Sequence, residues 1–341
     1  MKSKVLALVA AVVFASVSFG SAGEAPWRPD RPVTVIVGMA AGGGIDAMAR
    51  TMAAGLSEYL GVSVVVENMP GSSSGIAAEY VAKAAPDGLT VFACSSSICA
   101  FSTTENSNIT YHDLNILAMP FTTHNLALMV NEKSDIKTVA DFVKAIKAGE
   151  TTASTLGIGS VFHLPAAIIA SRLGVLDNVT FVPYTSGKEV TLAVAKEECD
   201  WTTCGVWQES SQAILTGMVR PLALVDSKSF DFPGYGVIPP ITDFLPELKD
   251  VADVLGGWRG FGVRPDTPDN IKQELTKALE FAIKTPAFQK LLTDNGVIEF
   301  PILYGKDAQD LYERSSRIYS WLLYDLGDTP RNPDTVNVPR L

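Results

Sequence analysis

The chain has 341 residues, 47% of them hydrophobic and 19% charged, with a formal net charge of −10. That length and apolar content suffice for two globular lobes. The acidic balance argues against nucleic acid or an anionic membrane surface as partner, so an anionic ligand has to be captured by local groups against the field of the whole molecule.

The first residues read as a secretory leader. Lys2 and Lys4 form a positive start, Val5–Val17 is apolar, and Gly20-Ser21-Ala22 offers a small-residue cleavage site, which predicts a signal peptide over 1–22. The apolar run is short for a membrane span and no later stretch reaches that length, so no direct membrane insertion is expected. Because the first cysteine is Cys94, no lipid-modified cysteine sits at the cleavage site. The expected location in a Gram-negative cell is the periplasm.

The stretch Val33–Arg50 predicts a strand, a glycine loop and a helix start. Val33, Val35 and Val37 alternate with Thr34 and Ile36 in a β-branched run. Gly42, Gly43 and Gly44 let the backbone turn and come close to whatever lies above. Asp46 follows where a helix begins, and Met48, Met52, Leu56, Tyr59 and Leu60 give that helix one apolar face. A glycine loop at a helix N-terminus is an anion-binding corner. The phosphate-binding patterns are not matched: no lysine follows the glycines, and Gly42 and Gly44 are followed by Ile45-Asp46-Ala47. A plain tight turn and a small carboxylate site remain the two readings of the residues.

Further strands are predicted at Val62–Glu67 and Leu89–Cys94, with a helix at Gly75–Ala85 between them. Strands alternating with short helices indicate a parallel sheet, whose ligands sit beyond the C-terminal strand ends. Loops 38–46, 68–75 and 94–99 all lie at that edge. Gly71-Ser72-Ser73-Ser74-Gly75 matches the nucleophile-elbow pattern of serine hydrolases, but His112, His124 and His163 are the only histidines and none has a catalytic context. Four cysteines allow three full pairings. Five extended steps separate Cys199 and Cys204 by roughly 16 Å, beyond the roughly 7 Å a bridge tolerates. Cys94 and Cys99, around Ser95-Ser96-Ser97-Ile98, are the better candidate disulfide, and the same spacing disfavours a four-thiolate zinc site.

Asn125–Asn131 predicts a strand and Ser134–Lys147 a helix. Thr151–Thr155 leads into Gly157-Ile158-Gly159-Ser160 and a helix over Phe162–Leu173, a second anion-binding corner. His163 either caps or packs in this turn or touches a ligand. A strand at Val179–Tyr184 precedes Thr185-Ser186-Gly187 and a helix at Lys188–Lys196. A strand is expected to begin at Asp200–Thr203 and end near Gly205-Val206-Trp207, and another at Arg220–Val225, then a proline-marked irregular segment, a strand at Gly256–Val263, and helices at Asp269–Ile283 and Gly305–Leu323. No internal repeat stands out. If the two halves face each other, the chain is a two-lobed clamp.

The chain resembles the substrate-binding receptors of tripartite tricarboxylate transporters, the Bug proteins. The resemblance rests on Trp27-Arg28-Pro29-Asp30-Arg31-Pro32, on Ala40-Ala41-Gly42-Gly43-Gly44-Ile45-Asp46-Ala47-Met48-Ala49-Arg50, on Val65-Val66-Glu67-Asn68-Met69-Pro70-Gly71 and on Ala84-Ala85-Pro86-Asp87-Gly88. It continues through Val182-Pro183-Tyr184, Gly187, Trp258 before Gly260, and Pro265 with Thr267-Pro268. The resemblance implies an α/β, two-lobed, type II periplasmic-binding-protein fold with crossing strands. Lobe 1 is expected over 23–122 and 228–341 and lobe 2 over 123–227. It also implies a receptor, not an enzyme, that hands a small carboxylate to membrane permease subunits, without cofactor or metal and as a monomer.

The implied grip is the backbone of Ala40–Gly44, with Asp46 accepting from a ligand donor, facing Gly159-Ser160 and Ser186-Gly187. With the loop residues at the same edge, the expected ligand set is Met39, Ala40, Ala41, Gly42, Gly43, Gly44, Asp46, Ser95, Ser96, Gly159, Ser160, His163, Ser186, Gly187 and Trp207. Trp207 is read either as a ligand platform or as a core or hinge residue. The chain departs from the family pattern at Gly38-Met39, at Cys94–Cys99 and at Thr203–Trp207, all at the expected cleft. The rival readings are a ligand-presenting partner of a sensor kinase and an exported serine hydrolase.

Overall fold

A computed structural model describes residues 26–104, 107–121, 126–157, 159–206, 210–294 and 302–340. The expected signal peptide lies outside the described residues. The chain opens with β1 (Val33–Val37), α1 (Gly44–Leu60), β2 (Val64–Asn68), α2 (Gly75–Lys83), β3 (Thr90–Ser95) and β4 (Asn115–Phe121). A second series follows: β5 (Leu126–Asn131), α3 (Val139–Ala148), β6 (Thr151–Thr155), α4 (His163–Arg172), β7 (Val179–Pro183), α5 (Gly187–Ala195), β8 (Trp201–Gly205), α6 (Ser211–Leu215) and β9 (Val219–Leu224). The remainder comprises the hairpin β10 (Phe230–Phe232) and β11 (Gly236–Ile238), then α7 (Ala252–Leu255), β12 (Arg259–Val263), α8 (Asp269–Ile283), α9 (Pro286–Asp294), β13 (Leu303–Tyr304) and α10 (Gly305–Asp325).

These elements form two lobes, each on its own sheet. The first sheet has the order β13-β4-β12-β3-β1-β2 and the second β7-β6-β8-β5-β9. The two repeat one plan. Three parallel strands, β2-β1-β3 in one and β7-β6-β8 in the other, are extended by an antiparallel strand that arrives from across the molecule. For the first sheet that strand is β12, which enters after the whole second sheet has been built. For the second it is β5, which follows directly on β4. The chain thus passes between the lobes after Phe121 and again between Leu224 and Arg259, and both crossings tie the sheets together. The fold is the two-lobed α/β arrangement expected of the sequence.

The core follows from the pattern of apolar positions. β1 is apolar with both faces covered, as a central parallel strand requires. In α1, Met48, Met52, Leu56 and Leu60 are buried at helical spacing, and Gly61 in the left-handed conformation (φ 74°) ends the helix. α1 lies close on α8, where a Cβ at Gly55 would come within 2.8 Å of the Ala282 backbone. The amino-terminal motif is structural: Arg28 pairs with the buried Glu274 (3.0 Å) while its guanidinium lies over Tyr59, whose hydroxyl donates to the same carboxylate.

Two features depart from expectation. β6, with the polar sequence TTAST, is a strand of the second sheet, not a lead-in, because its hydroxyls are satisfied inside. Ser154 Oγ donates to the Val190 carbonyl (2.8 Å), and the Ser154 carbonyl accepts from Thr202 Oγ1 (2.8 Å). The expected Cys94–Cys99 disulfide is not formed: all four cysteines are free and buried. Cys94 is held in the ladder opposite Gly260 and donates to its carbonyl (3.6 Å), whereas Cys99 belongs to a 3-10 turn over Ser96–Ala100.

Candidate cleft between the lobes

The C-terminal ends of β1 and β3 in one lobe and of β6 and β7 in the other face a common cavity that opens to solvent. The first lobe supplies Met39, Ala40, Gly43, Gly44 and Ile45 from the β1–α1 connection, Ser95 from the end of β3, and Arg259 from the start of β12. The second supplies Leu156, Val161 and Phe162 from the β6–α4 connection and Thr185, Ser186 and Gly187 from the β7–α5 connection. A crevice beyond the carboxyl ends of parallel strands is where open α/β sheets bind ligands.

Two helix N-termini open into it. α1 has Gly43 as its N-cap with no side-chain cap, and Gly43 and Gly44 line the cavity. First-turn N–H groups without a side-chain partner, at the positive end of a 17-residue helix, suit an anion. Gly43 lies at φ −81°, ψ 172°, a conformation open to any residue, and a Cβ there would meet only the Ala40 carbonyl at 3.6 Å. Its lack of a side chain therefore matters to the cavity above it and not to the backbone. α5 begins at Gly187, with Ser186 Oγ accepting from the Glu189 N–H.

The first loop is held from behind by a polar clamp. Asp46 Oδ2 accepts from the Gly42 N–H (2.9 Å), and Asp46 Oδ1 accepts from Asn68 Nδ2 (2.9 Å) and pairs with Arg50 Nε (2.9 Å). Asn68 also donates to the Met39 carbonyl (3.0 Å), tying the end of β2 to the start of the loop. Burial by itself would raise the Asp46 carboxyl, but bonds from Arg50, the Gly42 N–H and Asn68 outweigh it and hold the group below its ordinary range. Asp46 is thus engaged within the loop and is not among the lining residues; nor are the exposed Ala41 and Gly42, while Ser96 is buried in the 3-10 turn behind Ser95.

The glycine-serine turn of the second lobe sits deeper than its neighbours. Ser160 is buried, its hydroxyl shared between Thr155 Oγ1 (3.2 Å) and the His163 N–H (3.1 Å). Gly159 is packed against the first lobe, with room for no Cβ beside Thr104 and Ala100. The Val161 N–H donates to Ser97 Oγ across the interlobe boundary (3.1 Å). It is Val161 and Phe162, one step along, that face the cavity. His163 is fully buried against Phe181, with Nδ1 accepting from the Gly159 N–H (3.3 Å). Its proton therefore belongs on Nε2, which points toward Asp328 Oδ2 at 3.9 Å. Burial pushes His163 down to about 4 and lifts Asp328 to about 6. Trp207 lies outside the described residues.

Arg259 was not singled out by the sequence reading. It is 5% exposed, lines the cavity, and carries its guanidinium 5.7 Å from the centre of the Phe121 ring. The signal that points to it is a basic residue opening an otherwise apolar strand next to Trp258. Its position at the ligand edge depends on β12 running antiparallel to β3, so that its first residue stands opposite Ser95, the last of β3. Among the described residues no group of three His, Cys, Asp or Glu is placed to hold a metal ion, and no helix is long and apolar enough to cross a membrane.

Comparison with known proteins agrees with this architecture. A family model described as "Tripartite tricarboxylate transporter family receptor" matches residues 48–316. A UPF0065 protein of Bordetella pertussis is 28% identical over 286 residues, covering 81% of this chain and 84% of that protein. The solved structure of periplasmic binding protein BugD superposes with a TM-score of 0.74 at 22% identity, over 88% of this chain and 99% of BugD. MatC (Rpa3494) from Rhodopseudomonas palustris, solved with bound malate, also gives a TM-score of 0.74 at 22% identity, over 86% of this chain and 99% of MatC.

Proposed function

This chain belongs to the tripartite tricarboxylate transporter receptor family, and from that premise we propose that it captures a small carboxylate between its lobes and delivers it to a membrane permease of that transporter type. The family consists of periplasmic solute receptors and not of enzymes. The observation that carries the reading is the cavity lined from one side by the uncapped start of α1 and from the other by the start of α5. Backbone N–H groups there would bind the ligand carboxylate, and closure of the lobes would exclude water and strengthen those bonds. Closure is a hinge motion about the two crossings, biased by contacts the ligand makes only in the closed state. The malate seen in MatC is of the same class of ligand. We further propose that the mature receptor is exported after loss of residues 1–22 and works as a monomer in the periplasm.

The test is a thermal-shift screen of the mature protein over C4–C6 dicarboxylates, citrate and acidic amino acids, each with its uncharged amide analogue. A ligand at one hundred times its dissociation constant stabilises by about 2.7 kcal/mol, which a melting curve resolves. Stabilisation by acids and none by amides is expected. Stabilisation by the amides alone would end the reading.

A further inference from the structure

We propose that His163 and Asp328 form a latch between the lobes: when the cleft closes, the imidazole N–H of His163 is brought onto the Asp328 carboxylate, and that bond holds the closed receptor. The inference rests on the lobe closure proposed above and names a contact that secures it.

Three observations carry it. First, the two groups belong to different lobes. His163 opens α4, which packs on β8 of the second sheet, whereas Asp328 follows α10, which packs on β4 of the first. Asp328 is fixed to the end of α10: its N–H donates to the Leu323 carbonyl (3.0 Å), and Gly327 in the left-handed conformation (φ 78°) turns the chain there. Second, each group is the partner the other lacks. Among the described residues neither His163 Nε2 nor Asp328 Oδ2 has a hydrogen-bond partner, although both atoms are buried. The Gly159 N–H occupies Nδ1, so Nε2 carries the proton and faces Asp328 Oδ2 as donor to acceptor. At 3.9 Å the pair is about 1 Å longer than an ordinary N–H···O bond. A buried donor and a buried acceptor without partners each destabilise the fold, and a small approach of the lobes would satisfy both at once. Thr104, beside Gly159 at the same boundary, leaves a further buried hydroxyl without a partner, so the boundary is not fully paired in this state. Third, the imidazole is tied to the cavity wall. Val161 and Phe162 line the cavity and immediately precede His163 in the chain. A ligand that draws this turn toward the first lobe carries the imidazole with it, and the bond made only in the closed state then biases the equilibrium toward closure.

The experiment compares the wild-type mature protein with Asp328→Ala, Asp328→Asn, His163→Phe and the double variant Asp328→Ala/His163→Phe. One arm needs no ligand. Spin labels on cysteines placed at the exposed Glu58 of α1 and Lys147 of α3 report the distance between the lobes, and the four native cysteines are buried, which directs the label to the new sites. Either single loss should move the distance distribution toward the open form, and the double variant should go no further. The other arm titrates malate, adipate and citrate by calorimetry. The tightest of them should weaken roughly 10- to 150-fold in Asp328→Ala, the loss of one charge-assisted bond, by as much in His163→Phe, and by no more in the double variant. Asp328→Asn, which keeps an acceptor, should lose less. Should His163→Phe fail to fold, the two Asp328 variants decide, since they leave the Gly159–His163 bond in place. Additive losses in the double variant, or wild-type distances and affinities in a folded Asp328→Ala, would overturn the latch. Binding of none of the three acids, with lobe distances that Asp328→Ala still shifts, would count against the carboxylate reading and support the latch.

Discussion

Replacing Gly43 by valine separates binding from folding. Most glycines in tight loops cannot take a side chain without strain, but Gly43 has φ −81° and ψ 172°, within the extended region open to valine, and its only Cβ neighbour is the Ala40 carbonyl at an ordinary 3.6 Å. The native fold should therefore absorb the change at a cost of about 0.5 kcal/mol or less, as at a surface position free of special features. The added methyl groups project into the cavity beside Gly44 and Ile45, where a ligand carboxylate would approach the first turn of α1. A charge-assisted hydrogen bond contributes about 1.5–3 kcal/mol. Losing one weakens binding roughly 10- to 150-fold, and losing two takes it out of the measurable range. The assay is calorimetric titration with the best acid from the screen, paired with urea unfolding of the ligand-free variant. A folded Gly43→Val protein with wild-type affinity would show that the ligand is not held at the start of α1.

Other perturbations probe the scaffold around the cleft. Asp46→Asn removes the charge that organises Gly42, Asn68 and Arg50 and should cost about 1–3 kcal/mol in urea unfolding. Because the carboxyl of Asp46 is held below its ordinary range, that difference is present at neutral pH and fades as pH falls below about 4. An equal difference at the acid limit would contradict the clamp. Gly38→Ala places a Cβ 2.4 Å from that of the buried Ser74, and overpacking of this kind should destabilise by about 1–3 kcal/mol; a neutral result would mean the β1 end yields freely. His163 and Asp328 oppose each other in pH dependence. The unfolded chain protonates His163 first, at about 6.5 against about 4 in the fold, so this group erodes stability as pH falls through that window. Asp328, raised to about 6, takes up its proton more readily in the fold and restores stability over the same range. Asp328→Asn should therefore make the urea midpoint fall more steeply between about pH 6.5 and 4 than in wild type, and parallel slopes would refute the offset. Finally, burial pushes the Cys99 thiol up to about 12 and Cys94 well above its ordinary value. A thiol reagent should find no reactive cysteine in the native protein and four in guanidinium chloride; two in the denatured, unreduced protein would reveal a disulfide.

The glycine loop of the first lobe was legible because its signal is local. A β-branched run, three glycines, an acid and a helical apolar stripe lie within thirty residues, and each obeys a short-range rule. The second lobe was harder to read for a physical reason. β6 hides its strand character behind hydroxyls whose partners come from elsewhere in the lobe: Ser154 Oγ donates to Val190 of α5, and Thr151 Oγ1 accepts from Trp201 Nε1 of β8. Ser160 looked like an available hydroxyl, yet its lone pairs and proton serve Thr155 and His163. The repeated topology of the two lobes also left no trace in the residues, since strand order is a property of the sheet and many sequences satisfy it.

By itself, the sequence determined the alternation of strands and helices, the two-lobed family fold and the amide-rich corner at residues 40–44, because hydrophobic period and glycine placement act over a few residues. Only the tertiary structure decided which parts of the second lobe share the cavity and that a buried arginine stands in its wall. Both depend on the two chain crossings, and on β12 returning antiparallel from the far lobe to bring its first residue level with the last of β3. Contacts made by residues more than a hundred positions apart follow from that return, and no local pattern encodes them.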